Sequence, residues 1–148
     1  MDNCTFNDLV DYYTRRHITE EGIDGWTYLF GDQYRVKVGH TINPPPLRIA
    51  QCFYKGKIPK VRMHAFKTAK FGVNHSHLEN RIKHEMRDYV DWTCRETKFF
   101  GKAKLVSGTT EVFLVPFDQA TILAYRVLNQ CRTDITETQL ELPFEESA

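Results

Sequence analysis

Three consecutive prolines, at positions 44–46, limit the fold of this chain of 148 residues more than any other segment does. Proline has no amide N–H to donate to a sheet, but it fits well into the first turn of a helix. Before the prolines, residues 34–38 alternate in polarity and predict a strand that ends at Gly39. After them, residues 47–51 predict a helix, capped by Asn43, that carries Arg48 near its start. The segment therefore predicts a strand, a stiff turn and a helix that presents an arginine.

Hydrophobic periodicity predicts the other elements of a small domain. Residues 6–16 have the spacing of a short amphipathic helix. Residues 26–30 are aromatic and β-branched, and they predict a strand that forms a hairpin with residues 34–38 because a glycine lies in the short connection. Residues 61–66 and 111–115 predict two further strands.

Two longer helices are predicted in the second half of the chain. Ser76 and Glu79 form the S-x-x-E capping box that opens the first of them, and Asp118 caps the second. The predicted apolar faces are Leu78, Ile82, Met86, Tyr89 and Val90 in the first helix, and Ile122, Leu123, Val127 and Leu128 in the second. With these helices beside a three- to four-stranded, mostly antiparallel sheet, we expect an α/β fold of the α+β type.

Length and composition predict one domain with short extensions, since 41% of the residues are hydrophobic. We expect an N-terminal helix in residues 1–20, a folded domain in residues 21–132 and a flexible acidic tail in residues 133–148. The chain has no long apolar run, so we expect no transmembrane helix and no membrane partner. The N-terminus lacks the features of a signal peptide, and the four cysteines are widely spaced. These features predict a cytoplasmic protein with reduced thiols.

Charge is concentrated in the middle of the chain, although the net charge is only +1. Residues 35–104 contain sixteen Lys or Arg and five Asp or Glu, a net charge of +11, whereas residues 1–34 and 133–148 each carry −5. A basic middle predicts a surface that binds a polyanion. The alternative is a solvated lysine face, and charge alone does not separate DNA from RNA. The predicted DNA-binding residues are Lys55, Lys57, Lys60, Arg62, Lys67, Lys70 and Arg81.

The order of four polar residues along the predicted elements suggests a function. The hairpin carries Tyr28 and Lys37, the next helix carries Arg48, and a later helix carries Glu79. This order resembles the GIY-YIG nuclease superfamily, in which a strand with GIY is followed by a strand with YIG, a helix with an arginine and a helix with a metal-binding glutamate.

The resemblance covers residues 25–117 and depends on four short motifs. The letters TYL at residues 27–29 take the place of GIY. The letters KVGHT at residues 37–41 are similar to a phage-associated branch that has KIG in place of YIG. In that branch the glutamate lies in a pattern similar to LENRIKH at residues 78–84, and EVF at residues 111–113 loosely matches the EWF-like strand that follows.

The resemblance implies a divalent-metal-dependent DNA endonuclease that hydrolyses phosphodiester bonds. Glu79 would hold Mg²⁺ or Mn²⁺, and an ion of this kind needs only one or two carboxylates. Arg48 would offer a planar fork of donors to phosphate oxygens. Tyr28 would act as a general base or orient a water, provided that cations lower its pKa. Lys37 or His40 would lower that pKa or contact the scissile phosphate.

Each of these residues also has a structural explanation. Glu79 completes a capping box, Tyr28 is a sheet aromatic and Arg48 is a helix surface residue. Lys37 stands where the second motif usually has tyrosine, so a non-catalytic DNA-binding or clamp-binding module of phage or bacterial origin is the alternative. His84 lies on a different helix face from Glu79, which disfavours a zinc site.

The letters QLELPF at residues 139–144 stand out in the acidic tail. They resemble the short peptide by which bacterial replication and repair proteins bind the DNA polymerase sliding clamp. The resemblance implies that Leu140, Leu142 and Phe144 are apolar anchors and that Gln139 makes a directional hydrogen bond. A clamp-bound tail would raise the local concentration of the domain at DNA. The alternative is that the tail folds back onto the domain.

Overall fold

The computed structural model describes residues 25–68, 75–131 and 135–142. Its strands are β1 (Trp26–Gly31), β2 (Val36–Thr41), β3 (Val61–Thr68), β4 (Phe99–Phe100), β5 (Ala103–Lys104), β6 (Val112–Phe113) and β7 (Ile135–Leu142). Five of them form one antiparallel sheet in the order β6-β2-β1-β3-β7, and β4 pairs with β5. The α+β class is confirmed, with one strand more than predicted in the main sheet. The predicted N-terminal helix, Lys70 and Phe144 lie outside the described residues.

The helices cover both faces of this sheet. They are α1 (Pro45–Cys52), α2 (His75–Glu85), α3 (Trp92–Thr97) and α4 (Phe117–Cys131). Short 3₁₀ turns cover Tyr54–Gly56, Arg87–Tyr89 and Thr109–Glu111. No helix in the described part of the chain is long and apolar enough to cross a membrane.

The β1–β2 hairpin forms as predicted, but its second strand begins later. Asp32 Oδ1 accepts hydrogen bonds from the amides of Tyr34 and Arg35, so these two residues belong to the turn. A Cβ on Gly31 would lie 2.2 Å from the carbonyl oxygen of Arg35, which explains a glycine at the strand end. The strand therefore runs over Val36–Thr41 rather than residues 34–38, and it includes the whole KVGHT motif.

Three predicted helix caps are wrong. Helix α4 already begins at Phe117, so Asp118 lies in its first turn rather than at its cap. Helix α1 is preceded by Pro44 in an extended conformation, so the fixed proline geometry starts the helix without a cap from Asn43. The described helix α2 already includes His75, so Ser76 lies within it rather than at its cap. A capping box with Ser76 therefore does not explain why position 79 is a glutamate.

The core has two parts, one on each face of the sheet. One part joins β1 and β3 to α1 and the β4–β5 hairpin through Tyr28, Phe30, Ile49, Phe53 and Phe100. The other joins β1 and β2 to α2 and α4 through Leu29, Val38, Leu78, Ile82 and Val127. Strand alternation thus puts consecutive residues of β1 into different parts of the core.

Two residues predicted for the core are exposed. Ile122 is 62% exposed, because Ala120 and Ala124 give α4 its buried face together with Val127 and Leu128. Tyr89 is also exposed, because α2 ends at Glu85 and the chain turns before it.

The prediction of a flexible tail is wrong for residues 135–142. These residues form β7, which pairs with the whole length of β3. In this register Gln139 lies opposite His64, and Leu140 lies opposite Met63. The alternative of a tail that folds back onto the domain therefore holds for this part of the chain.

Candidate functional site

Tyr28 and Lys37 form the buried centre of the candidate site. The hairpin register pairs Tyr28 with Gly39 and Phe30 with Lys37, so both side chains lie on the same face of the sheet. Lys37 Nζ is 3.4 Å from the Tyr28 hydroxyl oxygen and 5.2 Å from the centre of its ring. Tyr28 is completely buried and Lys37 is 1% exposed. Two side chains predicted as catalytic are therefore in contact, but beneath the surface.

Two glycines make room for this buried pair. A Cβ on Gly39 would lie 2.5 Å from Tyr28 Oη and 3.0 Å from Lys37 Nζ. Gly108, in the loop before β6, has φ +70°, and a Cβ there would lie 2.2 Å from Lys37 Cε. Packing against the buried pair thus explains why the KVGHT motif has glycine at position 39. At position 108 glycine is favoured for the same reason and also because the backbone is in the left-handed conformation.

The Gly39→Ala substitution is expected to lower the free energy of unfolding by about 2 kcal/mol, because the new methyl group overpacks a closed site. Urea unfolding of both proteins measures this difference. Gly101 has φ +61° and no atom within 4 Å of a new Cβ, so Gly101→Ala measures the separate cost of backbone strain without overpacking. A Gly39→Ala protein as stable as wild type would show that Tyr28 and Lys37 do not fill this space.

A chain of polar contacts connects Lys37 to Glu79. Lys37 Nζ is 3.1 Å from Glu111 Oε2, and Glu111 Oε1 is 3.2 Å from Lys83 Nζ. Lys83 Nζ is in turn 3.1 Å from Glu79 Oε1. Glu79 Oε2 contacts Nδ1 of His40 on β2. Lys83 and Glu111, which the site prediction missed, thus connect four of the five predicted catalytic residues around the β2 edge of the sheet. Tyr28 and Lys37 lie on the α1 face of the sheet, whereas His40 and Glu79 lie on the α2 face.

The charges in this chain of contacts stabilise one another. Burial favours the neutral form of Lys37, but Tyr28, Cys52 and Glu111 outweigh it and raise the pKa of Lys37 above its ordinary value. Burial opposes ionisation of Glu111 as well, yet Lys37 and Lys83 hold its pKa below the usual range. Both groups are therefore charged at neutral pH.

The net lowering of the Tyr28 pKa that a general base would need does not occur, although Lys37 and Arg48 act in the predicted direction. Burial raises this pKa to about 12, and the lowering effects of Lys37 and Arg48 are smaller. A hydroxyl that is buried and this weakly acidic cannot accept protons from substrate water near neutral pH. By contrast, the side chain of His40 is 45% exposed.

Arg48 lies at the margin of the site rather than inside the network. Its Nη2 donates a hydrogen bond to Ser107 Oγ at 2.9 Å. Four residues later on α1, Cys52 Sγ lies 3.8 Å from Tyr28 Oη, and Arg48 is close enough to lower the pKa of Tyr28 slightly. Arg48 therefore borders the buried pair from the side of α1, and Ser107 was not predicted.

Glu79 is the residue that fits a divalent ion. Its side chain is 3% exposed, with Oε1 held by Lys83 and Oε2 held by His40. In the described ranges no three His, Cys, Asp or Glu side chains converge as a ligand set. An Mg²⁺ ion that keeps most of its waters needs one or two carboxylates, so a single glutamate suffices. An ion bound by Glu79 would have to replace one of these two partners, Lys83 or His40.

Among the described residues, three of the predicted DNA-binding side chains have polar or acidic protein partners. Arg62 pairs with Asp118 at 2.6 Å, and Lys60 pairs with Glu141 at 3.6 Å. Arg81 donates a hydrogen bond to Gln130. Lys55 and Lys57 are exposed in the turn after α1. Lys67 is part of β3, opposite Thr136 of β7.

Comparison with protein-family models, curated proteins and solved structures finds no match to this chain. Function is therefore inferred from the residues and their geometry. A buried cation held beside a tyrosine, a carboxylate in contact with a half-exposed histidine, and an arginine at the margin are groups that can bind and polarise a phosphate ester.

Proposed function

We propose that this chain is a divalent-metal-dependent DNA endonuclease of the GIY-YIG type, acting in the cytoplasm of a bacterial or phage-infected cell. One observation supports the proposal most strongly. Tyr28, Lys37, His40 and Glu79, which occur in the order that the resemblance requires, belong to one connected cluster at the β1–β2 hairpin and α2.

The side chains have distinct tasks in this proposal. Glu79 would hold the Mg²⁺ ion, which supplies Lewis acidity at a phosphate oxygen when it is bound. His40 accepts the proton of the attacking water, because it is the half-exposed imidazole in contact with Glu79. Arg48 binds a phosphate oxygen after exchanging its hydrogen bond with Ser107. Lys37 remains buried and supplies positive charge beneath the phosphate.

The charge of the chain supports a polyanionic substrate. The net charge of +11 over residues 35–104 is spread over the segment from β2 to β5, which includes α1, β3, α2 and α3. Lys and Arg side chains in this number attract a phosphate backbone independently of sequence. DNA is the substrate that the resemblance implies.

A cleavage assay tests the proposal. End-labelled duplex, nicked and branched DNA are incubated with the protein and either Mg²⁺ or Mn²⁺, and products are resolved by strand length. We expect shortened strands with wild type on at least one substrate and none with Glu79→Ala. Equal background from both proteins on every substrate would end the enzyme proposal.

A second candidate function is a DNA-binding module without turnover. The observation that favours it is the burial of Tyr28 and Lys37, which leaves neither group in direct contact with solvent. A module of this kind binds DNA equally well as wild type and as Glu79→Ala, and it releases no product with either metal ion.

We further propose that residues 139–144 recruit the domain to a bacterial sliding clamp. Because Gln139 and Leu140 lie in β7, binding in an extended pocket requires this segment of the strand to leave β3. The clamp peptide and the sheet edge then compete for the same residues. Clamp binding would therefore separate part of β7 from β3 and leave β3 at the edge of the sheet.

Replacing Gln139 and Phe144 together by alanine is expected to lower clamp affinity at least about tenfold, because both are proposed anchors of the peptide. Surface plasmon resonance with immobilised clamp and the full chain measures the affinity. Glu145→Ala is the matched control in the same segment and is expected to bind as wild type does. Unchanged affinity of the double variant would disprove the recruitment proposal.

A further inference from the structure

The exposed ring of Tyr54, in the 3₁₀ turn after α1, has two lysine side chains beside it. Lys55 Nζ and Lys104 Nζ each lie over the ring, 5.3 Å from its centre, as cation–π contacts. The tyrosine is 46% exposed. We refer to Tyr54, Lys55 and Lys104 as the Tyr54 platform.

Backbone conformation brings one of these lysines to the ring. Lys55 has φ 53° and Gly56 has φ 67°, so two consecutive residues adopt the left-handed conformation. This conformation is uncommon for a lysine, and strain of this kind is concentrated at functional sites. The other lysine arrives from β5, which lies beside the turn because Phe53 and Leu105 form a β-bridge.

Three contacts connect the platform to the margin of the candidate site. They join α1 and the residue after it to residues 105–107: the Arg48–Ser107 hydrogen bond, the hydrogen bond from Val106 N to Cys52 O, and the antiparallel Phe53–Leu105 bridge. Arg48 lies at one end of this pair of segments, next to the site. The Tyr54 platform lies at the other end.

The charge of the platform is uncompensated within the described residues. No carboxylate there pairs with the ammonium group of Lys55 or of Lys104. Two like charges beside one ring repel each other, and an anion beside them relieves the repulsion. By contrast, Lys60 and Arg62 of the predicted DNA surface both have acidic partners. The platform is thus a better anion site than those residues.

We propose that the Tyr54 platform binds an unpaired nucleotide of a DNA strand that extends from the candidate site. The base takes the place of an ammonium group over the ring, and Lys55 and Lys104 move to contact the flanking phosphates. Aromatic stacking combined with lysine contacts is the usual way in which proteins hold single strands without reading sequence. The inference rests on the proposed nuclease function, because that function defines the path of the strand from the candidate site. It names DNA with single-stranded segments as the substrate class.

The test is DNA binding by fluorescence anisotropy in EDTA, where no cleavage occurs. The full chain is titrated into a labelled mixed-sequence single strand and into the matching duplex. Tyr54→Ala is expected to weaken single-strand binding about tenfold and to change duplex binding far less, because only an unpaired base can stack on the ring. Tyr54→Phe keeps the ring and is expected to bind as wild type does.

Tyr34→Ala is the matched control, since this tyrosine is 62% exposed in the hairpin turn and has no place in the platform. Lys104→Ala is expected to reduce the salt dependence of single-strand binding, whereas Tyr54→Ala leaves that dependence unchanged. Wild-type affinity of Tyr54→Ala for single strands, or an equal loss on duplex, would overturn the proposal. If the cleavage assay with Mg²⁺ or Mn²⁺ shows no product, the nuclease proposal fails. The effect of Tyr54→Ala on single-strand affinity is measured in EDTA and does not depend on that outcome.

Discussion

Replacing Glu79 by alanine is expected to lower the rate of DNA cleavage at least about a hundredfold, the scale of losing one group that stabilises transition-state charge. The buried carboxylate is the proposed ligand of the divalent ion, and it also holds His40 through Nδ1. Its loss removes both contributions together. Single-turnover cleavage with protein in excess measures the rate of the chemical step without product release.

Glu85→Ala is the matched control for this substitution, because Glu85 is an exposed glutamate at the end of the same helix. It is expected to cleave at the wild-type rate. Glu79→Gln keeps the size of the side chain and tests whether the loss comes from charge rather than packing. Cleavage by Glu79→Ala at the wild-type rate would remove Glu79 from the active site.

Replacing Glu111 by alanine is expected to lower the free energy of unfolding by about 3 kcal/mol, since removing one partner of a buried ion pair leaves the other charge uncompensated. The remaining charge is Lys37, which is 1% exposed and has Glu111 as its carboxylate at 3.1 Å. Urea unfolding at neutral pH measures the change. Asp118→Ala, which removes the exposed ion pair with Arg62, is expected to change stability by less than about 1 kcal/mol.

The pH dependence of this effect has a definite sign. The pKa of Glu111 is held below its ordinary value of 4.5 by Lys37 and Lys83, although burial acts in the opposite direction. A carboxylate with a lowered pKa contributes stability above its unfolded pKa, and the contribution is lost as pH falls through the folded pKa. The difference between wild type and Glu111→Gln is therefore expected to be full at pH 7 and to shrink towards pH 3. A difference that stays constant over this range would show that Glu111 is not paired as a charge.

Local patterns in the sequence were sufficient to predict the elements that carry the cluster. The alternating strands, the glycine of the KVGHT motif and the proline-led helix α1 all reflect short-range backbone preferences. Helix α2 was also predictable from its stripe of Leu78, Ile82 and Met86, which is buried as expected. Packing of this stripe against the sheet brings Glu79 of α2 into contact with His40 of β2.

Other features depended on tertiary contacts that no local pattern contains. Glu111 comes to Lys37 because the 3₁₀ turn before β6 brings it to the edge of β2. Lys83 lies one helical turn after Glu79, and that spacing was an available signal for an ion pair. The elevated pKa of Tyr28 could not be read from the sequence, because it results from complete burial.

The end of the chain shows how composition can mislead. Residues 133–148 are acidic, and this favoured an unpaired tail. Ile135, Thr136 and Thr138 are nevertheless β-branched residues of the kind that strands favour. This segment forms a strand because β3 supplies the backbone hydrogen-bond partners, and the local sequence does not show that β3 is available.

The requirement for a divalent ion tests the central claim most directly. Protein treated with EDTA is mixed with labelled duplex, nicked and branched DNA at concentrations where anisotropy shows that the DNA is bound, and Mg²⁺ or Mn²⁺ is then added. The nuclease proposal predicts that shortened strands form only after the ion is added. Fully bound DNA that stays intact on every substrate with both ions would contradict it and would favour the DNA-binding module.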